Sequence, residues 1–227
     1  MNLDFETFKK DINWFIRPND LVTLYDTESV LNLSDNFTST FPKLSQLIQR
    51  ARKLEFSVNN NPYRLFSWTN KYNKSCGWLT KIELEDTDNI VLAKEHELLL
   101  KEIGGISESY HQPEPALTNN QDYLFLKSAC MTGIGEWEEY YENLCEEEHK
   151  QPIQYNDFIC FALEANGNMT MYEKNSGKVL LFAHDHWFEN VDPLEDQPEY
   201  TFYTIQDVDN FVDYVEKMAE EWSEAVL

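Results

Sequence analysis

Three short apolar runs separated by turn residues lie between residues 157 and 183, and they constrain the fold more than any other part of the chain. The runs cover 157–163, 168–173 and 178–183. Asn166-Gly167 separates the first two runs, and Asn175-Ser176-Gly177 separates the last two. Asn-Gly between apolar runs is the strongest short-range signal for a β-hairpin, because both residues tolerate the positive φ of a tight turn. The sequence therefore predicts an antiparallel meander of three strands.

Apolar residues at helical spacing predict five helices around this meander. Pro18 ends the first helix, Pro42 begins the second, and Gly104 follows the third. Thr204 with Asp207 three residues later forms a variant of the capping box, which predicts the start of the last helix. The predicted helices cover residues 3–16, 42–54, 92–103 and 134–149, and the chain from 204 onward.

Shorter signals complete the secondary structure. Residues 63–68, 78–84 and 122–128 are predicted strands, and the Asn-rich stretch 59–62 is a predicted turn. Residues 106–121 are polar, contain Pro113 and Pro115, and are predicted to form a loop. The fold class predicted from this order is α+β, with a mainly antiparallel sheet flanked by helices.

The charge is strongly negative and unevenly distributed. The chain carries 41 acidic and 18 basic side chains, a formal net charge of -23. Residues 128–227 contain 23 of the carboxylates and only four lysines, whereas the first 127 residues are nearly balanced. Such a surface repels phosphate backbones and anionic lipids and attracts basic proteins. We therefore expect a basic protein partner that meets the C-terminal half, with neither nucleic acid nor membrane as a partner.

Two acidic stretches that contain aromatic residues are the candidate contact surface. Residues 134–148 are a predicted amphipathic helix with seven glutamates, and residues 185–200 combine acids with flanking aromatics. Like charges three or four residues apart destabilise a helix, so a cationic partner would offset the repulsion. The alternative is that both stretches are simply solvated surface. The predicted partner-binding residues are Glu136, Trp137, Glu139, Tyr140, Glu142, Glu146, Asp185, His186, Glu189 and Glu195.

Motifs for catalysis or for cofactors are weak in this sequence. No P-loop, G-x-G-x-x-G or G-x-S-x-G motif occurs. His184 and His186 would share one face of a strand and could belong to a metal-dependent hydrolase, but two histidines alone are a weak metal pattern. We therefore expect no enzymatic activity, no cofactor and no metal, with the metal-dependent hydrolase as the alternative that elemental analysis would test.

The cysteines and the apolar runs indicate a reducing compartment. Cys76, Cys130, Cys145 and Cys160 are scattered and form no C-x-x-C pair. Residues 1–6 lack the features of a signal peptide, and no apolar run approaches the length of a membrane span. The expected location is the cytoplasm.

Several stretches together resemble the SUKH superfamily, which contains yeast cell-wall-synthesis regulators and bacterial immunity proteins. The resemblance covers about residues 90–220, and the matching motifs keep the order and spacing of the family. They are LAKEHELLLKEIGG at 92–105, FICFAL at 158–163, ANGN at 165–168, GKV at 177–179, FAHD at 182–185 and TIQDVDNFVDYV at 204–215.

The resemblance implies an α+β fold and a non-enzymatic role. Bacterial members are typically cytoplasmic proteins that bind and neutralise toxins, often basic nucleases. The expected function is therefore an immunity-type protein that neutralises a basic toxin domain by electrostatic complementarity, and the alternative is a regulatory scaffold that binds a host protein. On this view residues 76–227 form the SUKH-like domain, and residues 1–75 are an extension packed on it.

Overall fold

The fold is described from a computed structural model that covers residues 2–25, 31–83, 90–112, 117, 121–185 and 190–227. The predicted end of a strand at Leu84, together with Pro113 and Pro115 of the predicted loop, lies outside these residues. The helices are α1 (Leu3–Asp11), α2 (Asp35–Thr40), α3 (Pro42–Arg50), α4 (Lys94–Glu102), α5 (Glu138–Glu147) and α6 (Phe211–Ala225).

The strands of the described chain belong to one antiparallel sheet. Its order is β1-β2-β3-β4-β5-β6-β8-β9-β10-β12-β11, and β7 pairs with β8 beside this path. The strands are β1 (Val22–Leu24), β2 (Arg52–Val58), β3 (Asn61–Thr69), β4 (Ser75–Lys81), β5 (Gly105–Tyr110), β6 (Gln121–Leu124), β7 (Met131–Thr132), β8 (Phe158–Glu164), β9 (Met169–Glu173), β10 (Val179–Phe182), β11 (Val191–Pro193) and β12 (Phe202–Ile205).

Both faces of the sheet are buried, because alternate side chains along the central strands enter different cores. One core contains Ile159 and Phe161 of β8 together with residues of α2, α3, α4 and α6. On the opposite face, Phe158 and Cys160 pack with residues of α5, while α1 covers β2 to β5 in a separate core. The molecule therefore has three layers, with α1 and α5 each covering one half of the same face.

Aromatic side chains connect the two ends of the chain inside the main core. Trp222 of α6 lies 5.6 Å from Trp68 of β3 and 4.8 Å from Trp78 of β4, measured between ring centroids. Helix α6 also packs along α3, where Glu216 accepts hydrogen bonds from the backbone of Lys43 and Leu44. The last helix therefore closes over strands that come from the first third of the chain.

The predicted α+β class and the predicted meander are confirmed. Strands β8, β9 and β10 pair antiparallel in succession. The β8–β9 turn has three residues rather than two: Glu164 N donates to Asn168 O across residues 165–167, and Gly167 has φ +93°. Gly104 ends the α4 region with φ +85°, as its position after the predicted helix required.

Five secondary-structure predictions are wrong in part. The predicted helix 3–16 ends at Asp11, well before Pro18, and the predicted strand 122–128 ends at Leu124 and is followed by a 3₁₀ helix at Lys127–Ala129. The predicted loop 106–121 begins with β5, which pairs with β4. The predicted helix 42–54 ends at Arg50, and Leu54 lies in β2. Thr204 does not cap the last helix, because it lies in β12; the N-cap of α6 is Asn210, which forms a capping box with Asp213.

The boundary predicted at residue 75 lies at the first residue of β4. Six residue pairs join β3 to β4 across this boundary, from Tyr63↔Lys81 to Trp68↔Cys76. The sheet therefore continues from the N-terminal segment into the rest of the chain. Within the described residues, none of the helices combines the length and the apolar character that crossing a membrane requires.

Candidate functional site

Helix α5 and the 3₁₀ turn before it, Gly135–Trp137, present carboxylates to solvent. Tyr141 and Cys145, one turn apart, are buried against the sheet, and Ile134 is buried just before the turn. Glu138, Tyr140 and Leu144 of the helix are partly buried. The exposed acids on this segment include Glu136, Glu139, Glu142, Glu146 and Glu147.

The charges of α5 do little to stabilise the helix itself. Glu138 and Glu139 lie in the first turn, where the helix dipole favours acids, but Glu146 and Glu147 lie at the opposite end, and the last turn has no basic residue. Within the described part of the chain, the one ion pair of residues 136–148 joins Glu148 to Lys150 at 2.8 Å. The helix is formed because its apolar side is buried, and its outer side remains strongly negative.

The acids of α5 raise the pKa of the neighbouring Tyr155. Its hydroxyl donates a hydrogen bond to Glu142 Oε1 at 2.7 Å. That bond, burial and the nearby charge of Glu138 raise the pKa of Tyr155 to about 12. The pKa of Tyr140 is also raised, mainly by burial.

The loop after β11 lies directly beside α5. Gln197 is buried and accepts a hydrogen bond from the Tyr141 hydroxyl, and its amide donates to Gln151 O at 3.1 Å. Lys150 Nζ donates to Gln197 O at 2.7 Å. These bonds keep the loop next to the helix. The loop exposes three acids, Glu195, Asp196 and Glu199, and the ring of Tyr200, whose exposed fraction is 43%. We call Glu136, Glu139, Glu142, Glu146, Glu147, Glu195, Asp196 and Glu199 the acidic face.

Trp137 packs against other rings at one end of the acidic face. Its ring stacks on His184, with 3.7 Å between centroids and 25° between planes, and Tyr140 packs edge-on at 5.8 Å. A Cβ atom added to Gly167 would lie 3.2 Å from the indole ring. Trp137 Nε1 and His184 Nδ1 are buried, and neither has a hydrogen-bond partner among the described residues. The indole is therefore held by packing rather than by its N–H group.

Polar contacts fix the surroundings of this stack. His184 N donates to Asn168 Oδ1 at 3.3 Å, and Asn166 Nδ2 donates to Asp185 Oδ1 at 3.2 Å. The β8–β9 turn is thereby tied to the end of β10 beside Trp137. A rigid hairpin turn, a stacked pair of rings and an exposed carboxylate at Asp185 thus lie together.

A cavity of about 360 Å³ opens between the 3₁₀ turn and the β8–β9 turn. The residues that line it include Met131, Glu136, Trp137, Glu164, Asn166 and Met169.

The structure brings together most of the residues predicted as the contact surface. Glu136, Glu139, Glu142, Glu146, Asp185 and Glu195 are exposed, and Trp137 and Tyr140 are partly buried. His186 and Glu189 lie outside the described residues. The pair of histidines proposed for a metal is therefore described only at His184. Where the chain is described, no group of three or more His, Cys, Asp or Glu side chains is arranged to hold a metal ion.

Sequence reasoning missed Gln197 and the wall formed by Glu164 and Asn166. Gln197 has no distinguishing signal, since it is one polar residue in a polar loop. Asn166 was predicted as a turn residue, but its closeness to Trp137 depends on how α5 packs on the sheet.

No family model matches this chain, and the comparisons with curated proteins and with solved structures gave no significant match.

Proposed function

We propose that this chain is an immunity-type binding protein that neutralises a basic toxin domain by covering it with the acidic face. One observation carries the proposal: α5 exposes a run of glutamates with no lysine, arginine or histidine partner among the described residues, beside a second group of acids next to Gln197. The SUKH resemblance supports a toxin, such as a nuclease domain, as the partner.

The energetics of α5 favour an external cation. Glutamates at positions 142 and 146 repel each other along the helix, and Glu146 and Glu147 also oppose the helix dipole. A basic partner removes this repulsion on binding, so part of the binding free energy comes from relief within the chain itself. Tyr200, which is exposed beside the acids, adds the kind of aromatic contact that is enriched at protein interfaces.

In this proposal the chain catalyses no reaction and acts by occupying the surface of its partner. Its long-range negative field accelerates encounter with a basic domain, and salt weakens that acceleration. The proposed location is the cytoplasm, where the free thiols of Cys76, Cys130, Cys145 and Cys160 stay reduced.

Co-expression with a basic toxin domain, sought first among the genes on either side, tests the proposal. Cells that make the toxin should survive only with this chain, and the purified pair should associate much faster at low salt than at high salt. Glu139→Gln, Glu142→Gln and Glu146→Gln together should lower the association rate about tenfold.

A matched control replaces three acids that already lie against lysines. Glu6 pairs with Lys9, Glu95 with Lys94 and Glu220 with Lys43, at 2.9, 3.5 and 2.9 Å. Gln at these three positions changes the net charge equally but leaves the acidic face intact. Equal effects of the two triple variants, or no complex at low salt, would rule out the acidic face as the binding surface. A growth defect of the deletion strain without any toxin would instead support the regulatory scaffold.

A further inference from the structure

Strand β1 forms one end of the sheet, and no other described strand pairs with its outer side. Tyr25 N donates to Glu55 O of β2 at 3.0 Å. Because hydrogen bonds alternate along an antiparallel pair, every second residue from Leu21 to Tyr25 directs its backbone groups toward β2. The N–H and C=O groups of Val22 and Leu24 therefore point outward, where a further strand could pair with them.

This edge lacks two of the features that keep sheet edges from pairing, which are charged side chains and proline. The opposite edge, β11, contains both Asp192 and Pro193, whereas β1 has the sequence Val-Thr-Leu. Apolar side chains are also exposed here: Leu21 by 63%, Leu24 by 46% and Tyr25 by 47%. Since side chains alternate along a strand, Leu24 lies on one face of the sheet and Leu21 and Tyr25 lie on the other.

We propose that β1 pairs antiparallel with β1 of a second copy of this chain, so that the two sheets become continuous in a symmetric dimer. A twofold axis at Thr23 places Val22 opposite Leu24 of the second copy, and both residues have outward-pointing backbone groups. Each such pair exchanges both of its N–H···O hydrogen bonds. The same register places Leu21 opposite Tyr25, so each exposed apolar side chain of the edge gains an apolar neighbour.

The distribution of charge favours a second copy over a basic partner at this edge. Strand β1 carries no charged side chain, and the first 127 residues are nearly balanced, so the edge neither attracts a cation nor strongly repels its own copy. Strands β2 to β6 separate β1 from β8, the first strand of the half that α5 covers. The dimer therefore leaves the acidic face of each copy free. This inference goes beyond the proposed function and holds whether or not a toxin binds.

Cysteine cross-linking tests the register of the pair. The twofold axis brings Thr23 opposite Thr23 of the second copy in a non-hydrogen-bonded pair, whose Cα atoms lie about 4.5 Å apart, within the range that a disulfide spans. Thr23 is exposed, and the four native cysteines are buried. With oxidised glutathione as the oxidant, Thr23→Cys should form a covalent dimer at least about tenfold faster than Tyr72→Cys. Tyr72 is exposed by 83% and reports random collision.

Sedimentation equilibrium of the full chain tests the dimer itself. A contact this small should be weak, with a dissociation constant on the order of 100 µM. Salt screens the repulsion between two acidic chains, so high salt should strengthen the dimer by about fivefold, the opposite of its effect on a basic partner. Leu24→Lys should weaken the dimer at least about tenfold, because it places like charges on both copies at the edge. Val91→Lys, which adds the same charge at a side chain exposed by 83%, should change it by less than about twofold.

Three results would each overturn the inference. They are a chain that stays monomeric at millimolar concentration and high salt, equal cross-linking of Thr23→Cys and Tyr72→Cys, and a dimer that Leu24→Lys leaves intact. The last result would mean that the chain associates through another surface. The acidic face has its own test in the toxin complex, so failure of the dimer and failure of the proposed function are seen in separate measurements.

Discussion

His96 shows how strongly a buried position controls the protonation of one side chain. It is fully buried on α4, and its Nε2 lies 2.7 Å from the carbonyl oxygen of Phe125. Because a carbonyl only accepts, Nε2 carries the proton, and Nδ1 accepts from the Tyr172 hydroxyl at 3.3 Å. The ring also stacks on Phe211 at 4.7 Å. Burial lowers the pKa of His96 to about 4, so the folded protein holds this ring neutral.

The lowered pKa of His96 predicts a specific loss of stability in acid. The unfolded chain protonates His96 below about pH 6.5, whereas the folded chain protonates it only below about pH 4. The free energy of unfolding should therefore fall across this window, by up to roughly 3 kcal/mol from this residue. Urea unfolding of the wild type and of His96→Gln between pH 4 and pH 7 checks it. The difference between the two curves should change with pH only in this window; parallel curves would contradict the assignment.

Gly167 allows a second prediction at the scale of one residue, because two constraints meet there. Its φ of +93° disfavours any side chain, and an added Cβ would lie 3.2 Å from the Trp137 ring. Gly177 shares the left-handed backbone, with φ +74°, but an added Cβ there has nothing within 4 Å. Gly177→Ala should lower the free energy of unfolding by about 1 kcal/mol, and Gly167→Ala by roughly 2–3 kcal/mol.

A double-mutant cycle isolates the contribution of the ring. In a Trp137→Ala background, Gly167→Ala should cost no more than Gly177→Ala, because the steric partner is gone. Equal costs in the wild-type background would show that the indole moves freely, and the close packing of the Trp137 ring against Gly167 would then be contradicted.

At the scale of elements, periodicity predicted those helices and strands whose signal lies in nearby residues. The β8–β10 meander and the stripe of α6 follow from turn chemistry and from apolar spacing alone. Leu54 was misassigned because it stands three residues after Ala51, which continues a helical pattern, although Leu54, Phe56 and Val58 also alternate as a strand. Ile205 was misassigned in the same way, since it precedes Val208 by three residues.

Strand β5 was missed for a different reason. Its sequence, Gly-Ile-Ser-Glu-Ser-Tyr, is polar, and it becomes a strand because it pairs with β4 and packs Ile106 and Tyr110 into two different cores. The cavity at Trp137 was missed because it lies between segments about 30 residues apart. Local sequence carries no information about such long-range packing.

The N-cap of α6 provides a prediction at the scale of elements. The Asn210 side chain accepts hydrogen bonds from Val212 N at 2.9 Å and Asp213 N at 3.1 Å. Asn210→Ala should therefore lower the free energy of unfolding by about 1 kcal/mol. Thr204→Val, at the cap expected from the sequence, should change it by less than about 0.5 kcal/mol because the strand position favours a β-branched residue. Chemical denaturation measures both changes in the free energy of unfolding. A larger loss for Thr204→Val than for Asn210→Ala would contradict the assignment of Asn210 as the N-cap.

At the scale of the whole molecule, the sheet separates two functions of the helices. On one face α2, α3, α4 and α6 bury the largest core, which contains the three packed tryptophans and His96. On the other face α5 covers only the second half of the sheet and keeps its outer side charged. The main core can therefore maintain the fold while α5 carries charges that destabilise it slightly.

This arrangement predicts how stability responds to salt and to charge removal. If the acids of α5 repel one another, Glu139→Gln, Glu146→Gln and Glu147→Gln together should raise the melting temperature at low salt by roughly 2–4 °C. The control triple Glu6→Gln, Glu95→Gln and Glu220→Gln removes the same charge but also three lysine contacts, so its melting temperature should change less or fall. High salt screens exposed charges, so it should raise the melting temperature of the wild type and reduce the gain of the α5 triple.

Calorimetry at two salt concentrations measures these effects. The same gain in both triples would mean that overall charge, rather than the clustering on α5, sets the repulsion, and α5 would then have no stored repulsion for a basic partner to relieve.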